Sequence, residues 1–261
     1  MRDLEDLRLD ERQRSALLRS QLDGDGLPAP DALQDAPPDW SLIERGRGSL
    51  PPLAAGQLEV RQLEQRWTSL QQCLDLLGPP QRRTSSWQGL EATLSWRGNQ
   101  LVLSQTSRPR SRQRLRLWLE LLLAAASGQN PSGAALVGRD DDTLRVLERF
   151  DPPAANQAAE LLAQLRGWRE QHRSTCWPLP PETGWAFAAF EQSGPGQGSG
   201  WRKASDAWEG GFNGGGERRE AVQALCFGSD LPLAELLTPQ SQQLALALHT
   251  PLLERRQEVK R

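Results

Sequence analysis

The stretch from Leu90 to Ala126 constrains this 261-residue chain more than any other. Leu90, Ala92, Leu94 and Trp96 alternate with polar residues, the period of a half-buried strand. Arg97-Gly98-Asn99 follows, and glycine and asparagine accept the positive φ of a hairpin turn at little cost. Leu101 and Leu103 open a return strand. Residues 115–126 are then apolar nearly all round and stop at Ser127-Gly128, a helix C-terminal signal. A helix with no polar face has to be buried, which puts this one in the middle of its domain. The fold expected is mixed, α/β or α+β: a small mixed sheet of hairpins around a buried helix, with peripheral helices.

The flanking chain supplies those helices. Residues 1–22 are charged and helical, with Leu17, Leu18 and Leu22 as the buried edge. Residues 23–56 are rich in Pro, Gly and Asp, a connection anchored by Trp40, Leu42, Ile43, Leu50 and Leu53. Between residues 57 and 77, Leu63, Trp67, Leu70, Leu74 and Leu77 fall on one helical face. A second hairpin is expected from 134–139 and 143–150 around Asp140-Asp141-Asp142, then a helix from Pro152-Pro153 to about His172. Trp177 to Ala188 reads as a rigid turn into a short helix with Pro181 in its first turn. Two glycine loops, 194–200 and 210–216, flank a helix over 201–208. Helices over 217–225 and 239–253 and a charged tail complete the chain. Residues 1–80 then hold N-terminal helices and a connection, and residues 81–261 an αβ core with C-terminal helices, together one domain.

Net charge is -2, so bulk electrostatics would not hold the chain on a polyanion, and any nucleic-acid contact has to be a local patch. Lysine occurs only at 203 and 260, so the positive charge is almost all arginine. Three scattered cysteines, Cys73, Cys176 and Cys226, suggest a reducing compartment and buried thiols, not a disulfide framework. No signal peptide or membrane-length apolar run is visible, so a cytoplasmic protein without membrane contact is expected.

Several segments resemble the C-terminal region of RecC, the gamma subunit of exodeoxyribonuclease V, in that family's order. They are Leu4-Glu-Asp-Leu with Arg12-Gln-Arg-Ser-Ala-Leu-Leu, then Arg47-Gly-Ser-Leu-Pro-Pro-Leu-Ala-Ala-Gly-Gln-Leu, then Asn99 through Gly128. Pro178-Leu-Pro-Pro-Glu-Thr-Gly-Trp-Ala, Trp208-Glu-Gly, Gly216-Glu217, Leu225-Cys-Phe-Gly and Leu252-Leu-Glu follow. The family subunit is far longer, with helicase-like domains ahead of this region, and Arg218-Arg219-Glu220-Ala221 replaces its Asp/Tyr-rich continuation. An isolated domain, a fragment or a truncated relative is therefore expected. The resemblance implies a degenerate PD-(D/E)xK nuclease-like core. It further implies a role in double-strand break repair and recombination within RecBCD, beside RecB-like and RecD-like subunits. In that family the region helps split the duplex and guide single strands, while ATPase, helicase and nuclease activities come from partners.

The residues themselves offer no catalytic site. Nucleases of that fold bind Mg²⁺ through a carboxylate on one strand and an acid-x-Lys on the next. Here Ser104-Gln105-Thr106 stand where acids and a lysine are needed, and Glu91 is the one acid on either strand. Glu258-Val-Lys260 lies in the tail, Asp140–Asp142 read as a solvated turn, and His172 and His249 lack zinc-ligand spacing. The 210–216 glycine run lacks the Gly-Lys-Ser/Thr of a phosphate loop. No cofactor and no metal is expected.

The DNA-binding candidates are Arg108, Arg110, Arg112 and Arg114, with Arg82 and Arg83 placed just before the first strand. In extended backbone the alternating arginines from 108 to 116 form one phosphate-facing row. In a helix only Arg112 and Arg116 stay together, above Glu120, and the row is a solvated helix start with local ion pairing. Of the ten tryptophans, Trp67, Trp96, Trp118 and Trp168 read as core, and Trp201 and Trp208 as the least committed. The leading expectation is a non-catalytic DNA-handling and scaffold domain. The alternatives are an active metal-dependent nuclease and an orphan remnant or adaptor that does not bind DNA.

Overall fold

The computed structural model describes residues 8–24, 40–192, 199–210 and 215–259. Helices α1 (Glu11–Gly24), α2 (Trp40–Gly46) and α3 (Leu53–Leu76) precede three strands, β1 (Pro80–Trp87), β2 (Leu90–Arg97) and β3 (Gln100–Ser104). Helix α4 (Ser111–Ala126) leads to β4 (Ala134–Asp140) and β5 (Thr143–Phe150). Helices α5 (Ala155–Gln171), α6 (Pro181–Glu191), α7 (Ser199–Glu209), α8 (Ala221–Phe227), α9 (Leu233–Leu236) and α10 (Pro239–Leu253) follow, and β6 (Arg256–Glu258) comes last. Among the described residues no helix is long and apolar enough to cross a membrane.

The six strands form one mixed sheet in sequence order. β1 and β2 pair antiparallel from Pro80↔Arg97 to Trp87↔Leu90. Their two-residue turn, Gln88 (φ 44) and Gly89 (φ 81), has the doubly positive φ that matches strand twist. β2 returns into β3 with Arg97 opposite Gln100. β3 and β4 run parallel: Leu101 N donates to Gly133 O, Gln105 N to Val137 O, and Arg139 N to Ser107 O. Parallel neighbours need a crossover, and α4 is that crossover. Leu101, Val102 and Leu103 are all buried, as expected of a strand covered on both faces. The mixed α+β architecture read from the sequence is therefore present.

The chain divides into two compact units. One comprises residues 1–79, 104–109 and 136–147, the other 80–103, 110–135 and 148–261. In the first, α3 buries Leu63, Leu70 and Leu74, the stripe its spacing calls for, while Trp67 is half-buried. That helix also buries two charges. Glu59 takes Arg14 (2.7 Å), and Arg66 takes Glu11 (3.0 Å) and Asp142 (2.9 Å). Burial raises the Glu11 carboxyl, but hydrogen bonds from Arg66 and Arg14 outweigh it and bring its pKa down to about 2.

In the second unit α4 lies against β1, α5 and α6. Its residues Leu117, Trp118 and 121–125 are buried, so the five-residue run 121–125 is core on every side. Its first turns face solvent on one side, and Leu119 is exposed. The C-terminal helices pack Leu179, Phe187, Trp208, Leu233 and Leu236 into a further cluster.

Several expectations need correction. Arg82 and Arg83 lie within β1 and not before the first strand, because a polar segment pairs its whole length with β2. The tail is not free: Arg256–Glu258 pair antiparallel with β5. A short helix, α2, interrupts the 23–56 connection, where Leu42, Ile43 and Leu53 are exposed and Leu50 alone of those four is buried. Cys176 and Cys226 are exposed, not buried. Trp208 is fully buried, with Nε1 donating to Leu231 O at 2.7 Å. Residues 1–7, 25–39, 193–198, 211–214 and 260–261, with the expected start of the first helix, most of both glycine loops and Lys260 of the tail, lie outside the described residues.

Candidate nucleic-acid interface

Two carboxylates fix the helix starts that carry the arginines. At the head of α4, Ser111 N and Oγ both donate to Glu182 Oε1, at 2.9 and 2.8 Å. Glu182 sits in the first turn of α6, whose own orphan donors go to Glu217. Its carboxylate accepts from Glu182 N (3.1 Å), Thr183 N (2.9 Å) and Thr183 Oγ1 (2.9 Å). Negative charge at a helix N-terminus satisfies free N–H groups and opposes the helix dipole. Burial pushes the Glu217 carboxyl up, and these hydrogen bonds offset that only in part. Gly216 is required beside it, since a Cβ there would collide with the carbonyl oxygen of Trp208. The Gly216-Glu217 pair is thus a capping device. Glu217→Ala strands three donors, and we expect a loss of about 2 kcal/mol, read from the urea midpoint at neutral pH. An unchanged midpoint would remove the capping role.

With α4 starting at Ser111, its arginines point in different directions. Arg110 and Arg112 share a single acid, Glu220, at 3.0 and 2.7 Å, with side chains 66% and 50% exposed. Two guanidiniums on one carboxylate leave net positive charge at the surface. Arg116 pairs with Glu120 one turn on, at 2.8 Å. Arg114 turns inward: its Nε and Nη2 hold Glu148 at 2.9 and 2.7 Å. Arg256 from β6 reaches the same carboxylate at 2.9 Å. Both guanidiniums lie over the Trp185 ring, 5.0 and 5.4 Å from its centroid. Burial raises the Glu148 carboxyl, but hydrogen bonds from Arg114 and Arg256 outweigh it and lower its pKa.

The remaining candidates are dispersed. Arg82 and Arg83 point to opposite faces of β1, as neighbours on a strand must. Arg82 is exposed, whereas Arg83 lies 4.5 Å over Trp96 and donates to Gln81 Oε1 at 2.7 Å. In the other unit, Arg108 makes an exposed 3.3 Å pair with Asp141. The five arginines of the second unit therefore do not form one row. Arg110 and Arg112 form the one shared, solvent-facing pair among them.

The acids that could hold a metal are otherwise engaged. Glu91 is exposed on β2, and β3 carries no acid. Asp140, Asp141 and Asp142 pair with Arg145, Arg108 and Arg66 respectively. Thr106 donates through Oγ1 to Ser15 O at 2.9 Å, a packing role. Among the described residues no group of three His, Cys, Asp or Glu is placed to hold a metal ion. Sequence reasoning missed Glu148, Trp185, Glu220 and Arg256. No local signal marks them: Arg114 and Glu148 are 34 positions apart, and Arg110 and Glu220 are 110.

The sequence pattern of the RecC C-terminal domain matches residues 1–191. The chain belongs to the RecC C-terminal domain family. The matched segment runs from α1 to the end of α6, and so contains all six candidate arginines, Glu148 and Trp185. Glu217, which caps α6, Glu220, which Arg110 and Arg112 share, and Arg256, the second arginine on Glu148, lie beyond it in this family member. No curated protein matches the chain.

Proposed function

We propose that this chain is a non-catalytic, DNA-handling and scaffold domain of a RecC-like subunit, working in the cytoplasm within an exodeoxyribonuclease V assembly. RecB-like and RecD-like partners would supply the helicase and nuclease activities used in double-strand break repair and recombination. On this reading the whole chain, 1–80 and 81–261 together, is one RecC C-terminal-like domain with a degenerate nuclease-like core.

The observation that carries the reading is the Arg110–Glu220–Arg112 arrangement at the exposed head of α4. A phosphate can replace the single shared carboxylate, and exposed ion pairs of this kind hold each other weakly, by about 1 kcal/mol or less. Arg82 and Arg108, exposed elsewhere, are added phosphate contacts. Arg83 and Arg114 act by holding Trp96, Trp185 and Glu148 in place.

The test is anisotropy of a labelled duplex with a single-stranded tail, titrated with the chain at several salt concentrations. The Arg110→Ala, Arg112→Ala double variant should weaken binding and lower the salt slope by about 2, one for each lost phosphate contact. Equal affinity and equal slope in variant and wild type would transfer the chain to the adaptor reading.

A further inference from the structure

The second unit holds a cleft of about 550 Å³ that the capping and arginine arrangements do not use. Leu115, Trp118 and Leu119 of α4 line it, with Trp168 and His172 at the end of α5 and Trp177 in the link to α6. Trp168, whose spacing reads as core, is only half-buried, as are His172 and Trp177. Trp168 and Trp177 lie 6.4 Å apart between centroids with their planes tilted by 49°, and His172 meets Trp177 edge-on at 5.0 Å. In neither contact do two rings lie face to face, so their flat faces do not cover each other. A hydrogen bond between His172 Nδ1 and Thr175 Oγ1, at 3.3 Å, steadies the histidine ring.

Charge decides what such a cleft can take. Its lining includes the exposed Arg169 and Arg173 and, among the described residues, no carboxylate. Arg173 is 3.8 Å from Glu170, an exposed pair that solvent screens, and no ion pair holds Arg169 among the described residues. A cationic ligand would meet two like charges, and an apolar peptide would leave both guanidiniums unanswered. Aromatic rings beside guanidiniums suit a flat ring that carries phosphate. The volume lies within the range of about 300–1,000 Å³ usual for such ligands. The cleft also adjoins Arg112. Arg112, Leu115 and Leu119 follow one another at three and four residues on α4 and so share one face of the helix.

We propose that this cleft takes an unpaired base of a single DNA strand, stacked on Trp168. Arg169 and Arg173 hold the flanking phosphates, and the Arg110–Arg112 pair holds the same strand farther along. The proposal rests on the DNA-handling role proposed for the chain and adds a preference to it. Bases inside a duplex are already stacked on their neighbours, so a duplex gains the phosphate contacts without the aromatic one.

The test is anisotropy of the full chain with a labelled oligothymidylate and with a blunt duplex of equal length. The single strand should bind more tightly. Trp168→Leu, which keeps an apolar side chain in the helix, should weaken the single strand about 10-fold and leave duplex affinity and both salt slopes unchanged. Arg169→Ala with Arg173→Ala, both at exposed positions, should lower the single-strand slope by about 1.4, at about 0.7 per contact. One 2-aminopurine in the strand should lose fluorescence on binding wild type and keep most of it with Trp168→Leu. Equal affinities for strand and duplex, unmoved by Trp168→Leu, would overturn this proposal alone. No binding to either DNA would take the DNA-handling role with it. Free thymidine monophosphate that displaces the strand at micromolar concentration would overturn the assignment to a strand and make the cleft a nucleotide site.

Discussion

Glu148→Ala should cost the chain about 3–5 kcal/mol of stability, the typical loss when one partner of a buried ion pair is removed. Glu148 is 4% exposed and is the acceptor common to Arg114 and Arg256. Truncating it removes the acid that Arg114 holds and leaves Arg256 with the more exposed Glu258 at 2.7 Å, and the cation–π contacts with Trp185 offset only a part of that loss. It also frees β6, whose hold on β5 is three residue pairs long. Urea unfolding of wild type and Glu148→Ala measures the effect, and a loss below about 1 kcal/mol would mean the triad is solvated and not structural. Arg112→Ala is the matched control. Its ion pair is exposed, so its midpoint should move by no more than about 0.5 kcal/mol.

The second large effect is one of pH. His249 on α10 is fully buried, and neither ring nitrogen has a hydrogen-bond partner. Its ring meets Trp185 edge-on, 5.6 Å between centroids. Burial pushes its pKa down to about 4 from an ordinary 6.5. The unfolded chain therefore takes up a proton near pH 6.5 that the folded chain refuses until about pH 4. The stability associated with the neutral ring is complete above 6.5 and is lost as pH falls toward 4, about 3 kcal/mol in all at 1.36 kcal/mol per pKa unit. His249→Leu removes the titration, so its urea midpoint should fall much less than that of wild type between pH 7 and pH 4.5. Glu217, whose carboxyl is raised, works in the opposite sense, so the comparison is between the two proteins at each pH. Parallel curves for wild type and variant would show that the ring is protonated or hydrated in the folded state.

Local pattern carried most of the fold. The alternation in β2 and the buried run in α4 marked the sheet and its crossover helix, and the α3 stripe marked its inward face. β1 escaped because Gln81 to Ser86 offers no apolar alternation, and what makes it a strand is eight residues of pairing with β2. β6 escaped for the same reason, as an Arg-Gln-Glu tripeptide gains strand form only by docking on β5. At the candidate site the arginine run was legible, but its division of labour was not. Whether an arginine faces solvent or a buried acid depends on where α4 starts. Glu182, set by Glu217 from a distant segment, fixes that start. The Gly216-Glu217 motif likewise carried a resemblance in sequence and a helix cap in three dimensions.

The decisive measurement is incubation of the purified chain with linear DNA in Mg²⁺ or Mn²⁺, with product length followed across the chromatographic peak of the protein. Asp140, Asp141 and Asp142 are paired with arginines, and β3 carries no acid. DNA that is retarded by the chain yet recovered at full length is the predicted result. Cleavage that rises and falls with the protein peak would contradict it.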